Sequence, residues 1–118
     1  MIREELHGKL KEAFSLPVIH SEYSMAELLS QAFSCGNGQY QSPPWMKILI
    51  RDPADPLSPM QPGRTGGINI LDLANIYSCS FIATQDLGRI RPDGSFEVLG
   101  RFDESEVRGC NLMSESNF

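Results

Sequence analysis

The chain has no long apolar run, no excess of positive charge, only two histidines, one tryptophan and three cysteines in 118 residues. Each shortage closes a class of function. Nothing approaches the roughly 20 apolar residues that a membrane-crossing helix needs. The net charge of −5, with a sequence pI near 4.9, is the wrong sign for a nucleic-acid surface. Basic residues are scattered, apart from a local group at Arg89, Arg91 and Arg101. Cys35, Cys79 and Cys110 are odd in number and widely spaced, so they fit neither a disulfide framework nor a zinc site. A reducing, cytoplasmic setting is the simplest expectation. The first residues, MIREELHGKLKEAF, are too charged for a signal peptide. His7 and His20 have no evident partners, and neither supports a catalytic triad or a metal site.

What is present is a balanced soluble composition, 41% hydrophobic and 21% charged, of one-domain length. Residues 1–118 are therefore expected to form a single domain, divided near Pro43–Pro44. Before that point, in 1–42, the pattern is helical. Leu6, Leu10 and Phe14 recur at helical spacing, and Pro17 stops that helix. Leu16 to His20 is a short apolar run that reads as a buried strand. Ser24 to Phe33 then carries Met25, Leu28, Leu29 and Phe33 close to one stripe, which predicts a second helix ending at Cys35-Gly-Asn-Gly.

From 43 to 113 the pattern is β. Trp45 to Arg51 alternates. Asp52 to Gly67, with four prolines and three glycines, predicts a loop. Gly67 to Leu73, Ser80 to Thr84, Leu87 to Arg91 and Ser95 to Arg101 predict strands. The last two flank Pro92-Asp93-Gly94, a strong hairpin signal. Residues 114–118 form a polar tail. The expected fold is α+β, two N-terminal helices followed by a small antiparallel β-sheet or distorted β-barrel.

Candidate chemistry is confined to a few positions. Tyr23-Ser-Met-Ala-Glu27 offers an aromatic ring able to stack on a base and a carboxylate able to contact Mg²⁺. Ser24-x-x-Glu27 is equally a capping box, and locally the cap is favoured. Thr84-Gln-Asp86-Leu-Gly88 places a carboxylate at a strand turn. Such a group accepts two hydrogen bonds at once, as the paired hydroxyls of a ribose require, or simply forms the turn. Arg101 follows Gly100 and offers a fixed positive charge, or is a solvated strand-end residue. Asp103 is a backbone pivot or the start of an acidic loop. Cys110, beside Arg108, is a nucleophile or a small buried hydrophobe. Pro62-Gly-Arg-Thr-Gly-Gly67 lacks the spacing of a phosphate loop and reads as a turn.

Taken in order, Tyr23-Ser-Met-Ala-Glu27, Gly66-Gly-Ile-Asn-Ile, Thr84-Gln-Asp86-Leu-Gly, Gly100-Arg101-Phe-Asp103 and Arg108-Gly109-Cys110-Asn-Leu resemble the adenylate-forming superfamily. Within it they are most similar to the C-terminal portion of the acyl-protein synthetase (LuxE-type) family. The resemblance runs from about Leu16 to Met113. It implies an ATP-dependent ligase that activates a fatty acid as an acyl-adenylate, with Mg²⁺. It assigns adenine stacking to Tyr23 and Mg²⁺ contact to Glu27. Ribose binding falls to Asp86 with support from Arg101, a hinge role to Asp103, and an acyl-acceptor role to Cys110. The sequence departs from the family pattern at Ser24 and Ala26. It also carries no Ser/Thr/Gly-rich phosphate loop and no lid lysine.

The expectation is therefore the adenine and ribose side of a site, inactive alone. It would be completed by a complementary N-terminal polypeptide that carries the phosphate loop, and it would tend to self-associate. The alternative is a non-catalytic relic, a β domain that binds a partner or a nucleotide without turnover.

Overall fold

The computed structural model describes residues 3–102. The Asp103 and Cys110 positions lie outside them. One α-helix, α1 (Arg3–Phe14), precedes seven strands: β1 (Ser21–Tyr23), β2 (Ala32–Ser34), β3 (Tyr40–Gln41), β4 (Met46–Arg51), β5 (Gly66–Asp72), β6 (Phe81–Ile90) and β7 (Phe96–Arg101). The strands form one antiparallel sheet in the order β1-β2-β3-β7-β6-β5-β4. Among the described residues no helix is long and apolar enough to cross a membrane.

The expectation of two N-terminal helices is overturned. Ser24 to Phe33 is a turn leading into β2, and the division at Pro43–Pro44 is not a boundary between helix and sheet, because β1, β2 and β3 all precede it. The reason is a carboxylate 42 residues downstream. Asp72, fully buried on β5, accepts hydrogen bonds from the Leu29 N–H and the Ser30 N–H, each at 3.0 Å, and from the Ser30 hydroxyl at 2.6 Å. A helix would have needed those two amides for its own ladder. Asn75 adds to the effect by donating to the Glu27 carbonyl at 2.7 Å. The capping box does not form either, since the Ser24 hydroxyl turns back to Glu22 at 2.8 Å. The residues of the supposed helical stripe separate accordingly. Leu28 is buried, whereas Leu29 and Phe33 are exposed.

The Leu16 to His20 run also differs from expectation. It is neither strand nor core, and regular pairing begins only at Ser21. Helix α1 buries none of its residues. It meets the sheet through His7 Nε2 against Ser21 Oγ at 2.9 Å, and through the Arg3 guanidinium 5.4 Å from the centre of the Tyr40 ring.

The β half follows its alternation. In β4, Met46, Ile48 and Ile50 face inward and Lys47 and Leu49 outward. They pack with Ile68 and Ile70 of β5 and with Tyr23, Leu28, Tyr40 and Phe96 to form the core. The β6–β7 hairpin closes as its turn residues dictate. Gly94 takes φ 89°, and the Asp93 carboxylate accepts from both the N–H and the hydroxyl of Ser95. Glu97 on β7 is clamped by Arg89 and by Arg91, the latter at 3.0 Å, and the Arg89 bond leads in holding its carboxyl below the usual range.

Two irregularities interrupt this ladder, and both fall beside Asp86. Across β5 and β6 the pairing passes from Gly67↔Leu87 to Asn69↔Ala83, so Thr84, Gln85 and Asp86 stand opposite Ile68 alone. Across β6 and β7 it passes from Gly88↔Val98 to Leu87↔Gly100, so Leu99 is the extra residue of a bulge. The second irregularity re-aims a side chain, as bulges do. In an unbroken ladder Gly100 would face Asp86. With Leu99 inserted, Arg101 does. Gly100 adopts φ 150°, a conformation that L side chains rarely accept.

Asp72→Ala is expected to cost roughly 3 kcal/mol or more in urea unfolding, because it strands several buried donors. Burial by itself would raise the Asp72 carboxyl, but the Ser30, Leu29 and Ala74 hydrogen bonds outweigh it and hold the group below its ordinary value. Its contribution is therefore present above the unfolded pKa of about 3.9 and is lost as pH falls through the lower folded value. Asp72→Asn should be less stable at neutral pH and show a flatter loss below about pH 4; parallel acid limbs would contradict this. Gly100→Ala is expected to lower Tm by about 5 °C or more, read by calorimetry.

Candidate functional site

The site is built around Asp86 on β6. Thr84, two residues earlier, fixes the backbone there. Its hydroxyl donates to the Ile68 carbonyl at 2.9 Å and accepts the Asp86 N–H at 3.0 Å. Arg51, at the end of β4, donates to the carbonyls of Thr84 at 2.6 Å and Ile68 at 3.2 Å, and to Asn69 Oδ1 at 2.5 Å. These bonds replace ladder pairing that the irregular register removes. Burial pulls the Arg51 guanidinium below its ordinary value, yet an arginine remains charged throughout the accessible range.

The Asp86 side chain is 12% exposed, and its two oxygens meet different partners. Oδ2 accepts a 2.6 Å hydrogen bond from the Tyr23 hydroxyl. Oδ1 lies 3.7 Å from Nη1 of Arg101, whose side chain is 51% exposed. One face of the carboxylate is therefore enclosed, and the other is turned toward a charge that reaches solvent. β1 and β6 are separated in the sheet by β2, β3 and β7, so the Tyr23–Asp86 bond shows how far the sheet curls around its core.

Sequence reading named Tyr23, Asp86 and Arg101, and the fold brings all three together. It places Tyr23 differently from a stacking platform, however. The ring is 9% exposed and packs edge-on against Tyr40 and Phe96, with centroids 6.1 and 5.6 Å away. Burial above all raises the phenol pKa, and the Asp86 hydrogen bond and charge add to it. Thr84 and Arg101 oppose this without reversing it. The hydroxyl thus remains a neutral donor at ordinary pH.

Glu27 stands apart on an exposed turn, with its backbone carbonyl taken by Asn75. Among the described residues no group of three or more His, Cys, Asp or Glu could hold a metal ion. One exposed carboxylate can add an oxygen to a magnesium ion held mainly by phosphates, but it cannot make a metal site alone. Thr84 and Arg51 were missed from sequence. A hydroxyl two residues before the aspartate was the available signal for Thr84. Arg51 had none, because it enters from two strands away. An open cavity of about 540 Å³ lies elsewhere, lined by uncharged groups including Ser30, Phe33, Cys35, Asn37, Gln41 and Trp45, and by none of Tyr23, Asp86 or Arg101.

No protein-family model matches the chain. The long-chain-fatty-acid–luciferin-component ligase of Vibrio harveyi is 26% identical over 125 residues, covering 98% of this chain and 33% of that relative. Among solved structures, the luciferase-like enzyme of the nonluminescent mealworm Zophobas morio superposes with a TM-score of 0.61 at 20% identity, over 85% of this chain and 29% of the enzyme. The ATP-bound MatB of Rhodopseudomonas palustris gives 0.57 at 19% identity, over 70% and 20% respectively. The chain thus spans about a third of the curated relative. It resembles the C-terminal part of the acyl-protein synthetase (LuxE-type) family and shares the fold of the corresponding part of adenylate-forming enzymes.

Proposed function

We propose that this chain forms the adenine and ribose side of the nucleotide site of an ATP-dependent, fatty-acid-activating ligase. The observation that carries the reading is Asp86, a buried carboxylate with one oxygen turned to a half-exposed arginine, on a fold similar to that of ATP-bound relatives. A carboxylate can accept hydrogen bonds from two adjacent hydroxyls, such as those of a ribose. Arg101 would hold ribose or phosphate oxygens with charge-assisted hydrogen bonds. Glu27 could contribute one oxygen to nucleotide-bound Mg²⁺. Asp103 as hinge and Cys110 as acyl acceptor lie outside the described residues.

In the complete reaction the carboxylate of a fatty acid attacks the ATP α-phosphate. Acyl-adenylate forms, pyrophosphate leaves, and the acyl group passes to a thiol. The residues here would bind and orient the nucleoside, and the phosphate and acyl contacts would come from a complementary polypeptide. Phe33, Trp45 and Phe81, all exposed, are available to such a partner or to a second copy of the chain.

A second reading is favoured by those same exposed aromatics: a β domain that binds a partner, with no turnover. Nucleotide binding separates the two. ATP added to the 118-residue chain is expected to shift NMR resonances of Gln85 to Leu87 and of Arg101. Asp86→Ala should weaken that binding about tenfold or more. Unchanged binding in Asp86→Ala would remove the ribose assignment. The chain alone is expected to give ATP–pyrophosphate exchange no higher than Asp86→Ala. Signal above that control with any fatty acid would show a more complete site. Sedimentation is expected to show concentration-dependent association, and a strict monomer at high concentration would count against the apolar surface being a docking face.

A further inference from the structure

We infer that Tyr23 acts through its hydroxyl, as the residue that orients the Asp86 carboxylate, and not through its ring as a stacking platform. The inference rests on the nucleotide-site reading above and gives it a different division of labour. Its support is geometric. The ring is enclosed between Tyr40 and Phe96, which leaves 9% of the residue exposed and little face for a base. The hydroxyl, by contrast, is aimed at Asp86 Oδ2 at 2.6 Å from a strand four places removed in the sheet.

A carboxylate on a strand rotates about its terminal torsion with little preference. Among the described residues, three contacts restrict Asp86. Thr84 fixes its backbone N–H, Tyr23 holds Oδ2, and Arg101 faces Oδ1 at 3.7 Å. Tyr40 and Phe96 hold the phenol in turn, so the orientation is set by the hydrophobic core itself. Each carboxylate oxygen has two lone-pair sites. The phenol occupies one, and among the described residues Oδ1, the oxygen that faces Arg101, accepts no hydrogen bond. That is the geometry needed to receive a pair of hydroxyls from the solvent side. The role is positioning, since the hydroxyl touches Asp86 and would not itself touch the ligand.

Tyr23→Phe tests this cleanly, because it keeps the ring and removes only the hydroxyl. The probes are ATP and 2′,3′-dideoxy-ATP, titrated into the full 118-residue chain by NMR, alongside Asp86→Ala. The unmodified chain should prefer ATP over the dideoxy analogue. Tyr23→Phe is expected to weaken ATP about tenfold while leaving the dideoxy analogue nearly unchanged, so that the preference collapses. A mere loss of stability would weaken both nucleotides together. If Tyr23→Phe keeps the preference while Asp86→Ala loses it, the positioning role is overturned and the ribose reading survives. If Asp86→Ala also keeps the preference, or neither nucleotide binds the unmodified chain, the site reading falls and this inference falls with it. As a ligand-free check, a downfield hydroxyl proton of Tyr23 should be visible and should disappear in Asp86→Ala. Its persistence in that variant would overturn the bond on which the inference depends.

Discussion

The hydrogen bonds converging on Asp72 hold the first third of the described chain to the rest. Strand β3 meets β7 through the single register pair Tyr40↔Phe96, and β1 and β2 are three residues each. Backbone pairing that thin does not fix a position. Asp72 supplies the missing constraint from β5, near the far edge of the sheet, by pinning Leu29 and Ser30. Ser30 extends the network by accepting from the Trp45 indole at 2.9 Å. The aromatic cluster of Tyr23, Tyr40 and Phe96 then closes the sheet on itself. The Asp72 anchor thereby helps to hold β1 where the Tyr23 hydroxyl reaches Asp86. Asp72 and Asp86 are thus linked through one short segment, residues 23–34.

This linkage explains which parts of the molecule could be read in the sequence. Local features were legible because local physics decides them. Ile48 and Ile50 alternate with Lys47 and Leu49, and Pro92-Asp93-Gly94 encodes its own turn. Ser24 to Phe33 misled because its helical spacing is genuine. The decisive competitor for its amides lies 42 residues away and carries no local mark. Asp86 could be picked out as a carboxylate, but not in its setting: the two strands expected on either side of a turn there are one continuous strand, β6, that runs through it. The pairing of Asp86 with Arg101 could not be read either, since strict alternation sends Arg101 to the opposite face from Phe96 and Val98. Only the extra residue at Leu99 reverses that parity, and a bulge is visible in the register of two strands together, not in one. Tyr23 stood out in the sequence as an aromatic ring ahead of Glu27, whereas its burial depended on the curl of the whole sheet.

The irregular ladder beside Asp86 has an energetic logic. Three residues of β6 opposite one of β5 leave backbone groups without strand partners. Unpaired and buried, each would cost about 1–3 kcal/mol. Thr84 and Arg51 satisfy them instead, with side chains drawn from β6 and β4. The irregular ladder thus stays satisfied, at the expense of committing a half-buried arginine to a structural task. This is why Arg51 and Arg101, the same residue type, stand in different surroundings. One is spent on backbone carbonyls inside the sheet, and the other stays half exposed at its rim.

The two contacts to Asp86 are unequal, and the inequality sets the direction from which a ligand can be received. The Arg101 pair is 3.7 Å long and its cation is 51% exposed, which places it with surface ion pairs worth at most about 1 kcal/mol. Breaking that one pair to admit a hydroxyl or a phosphate would cost correspondingly little. The Tyr23 bond is short, enclosed and charge-assisted, and breaking it would leave a buried carboxylate oxygen unsatisfied. A ligand competing for Asp86 therefore displaces the arginine before the tyrosine. On that ordering the weak contact would be the entrance for a ligand and the strong one its backstop, so that the core side of Asp86 would stay fixed while its solvent side exchanged partners.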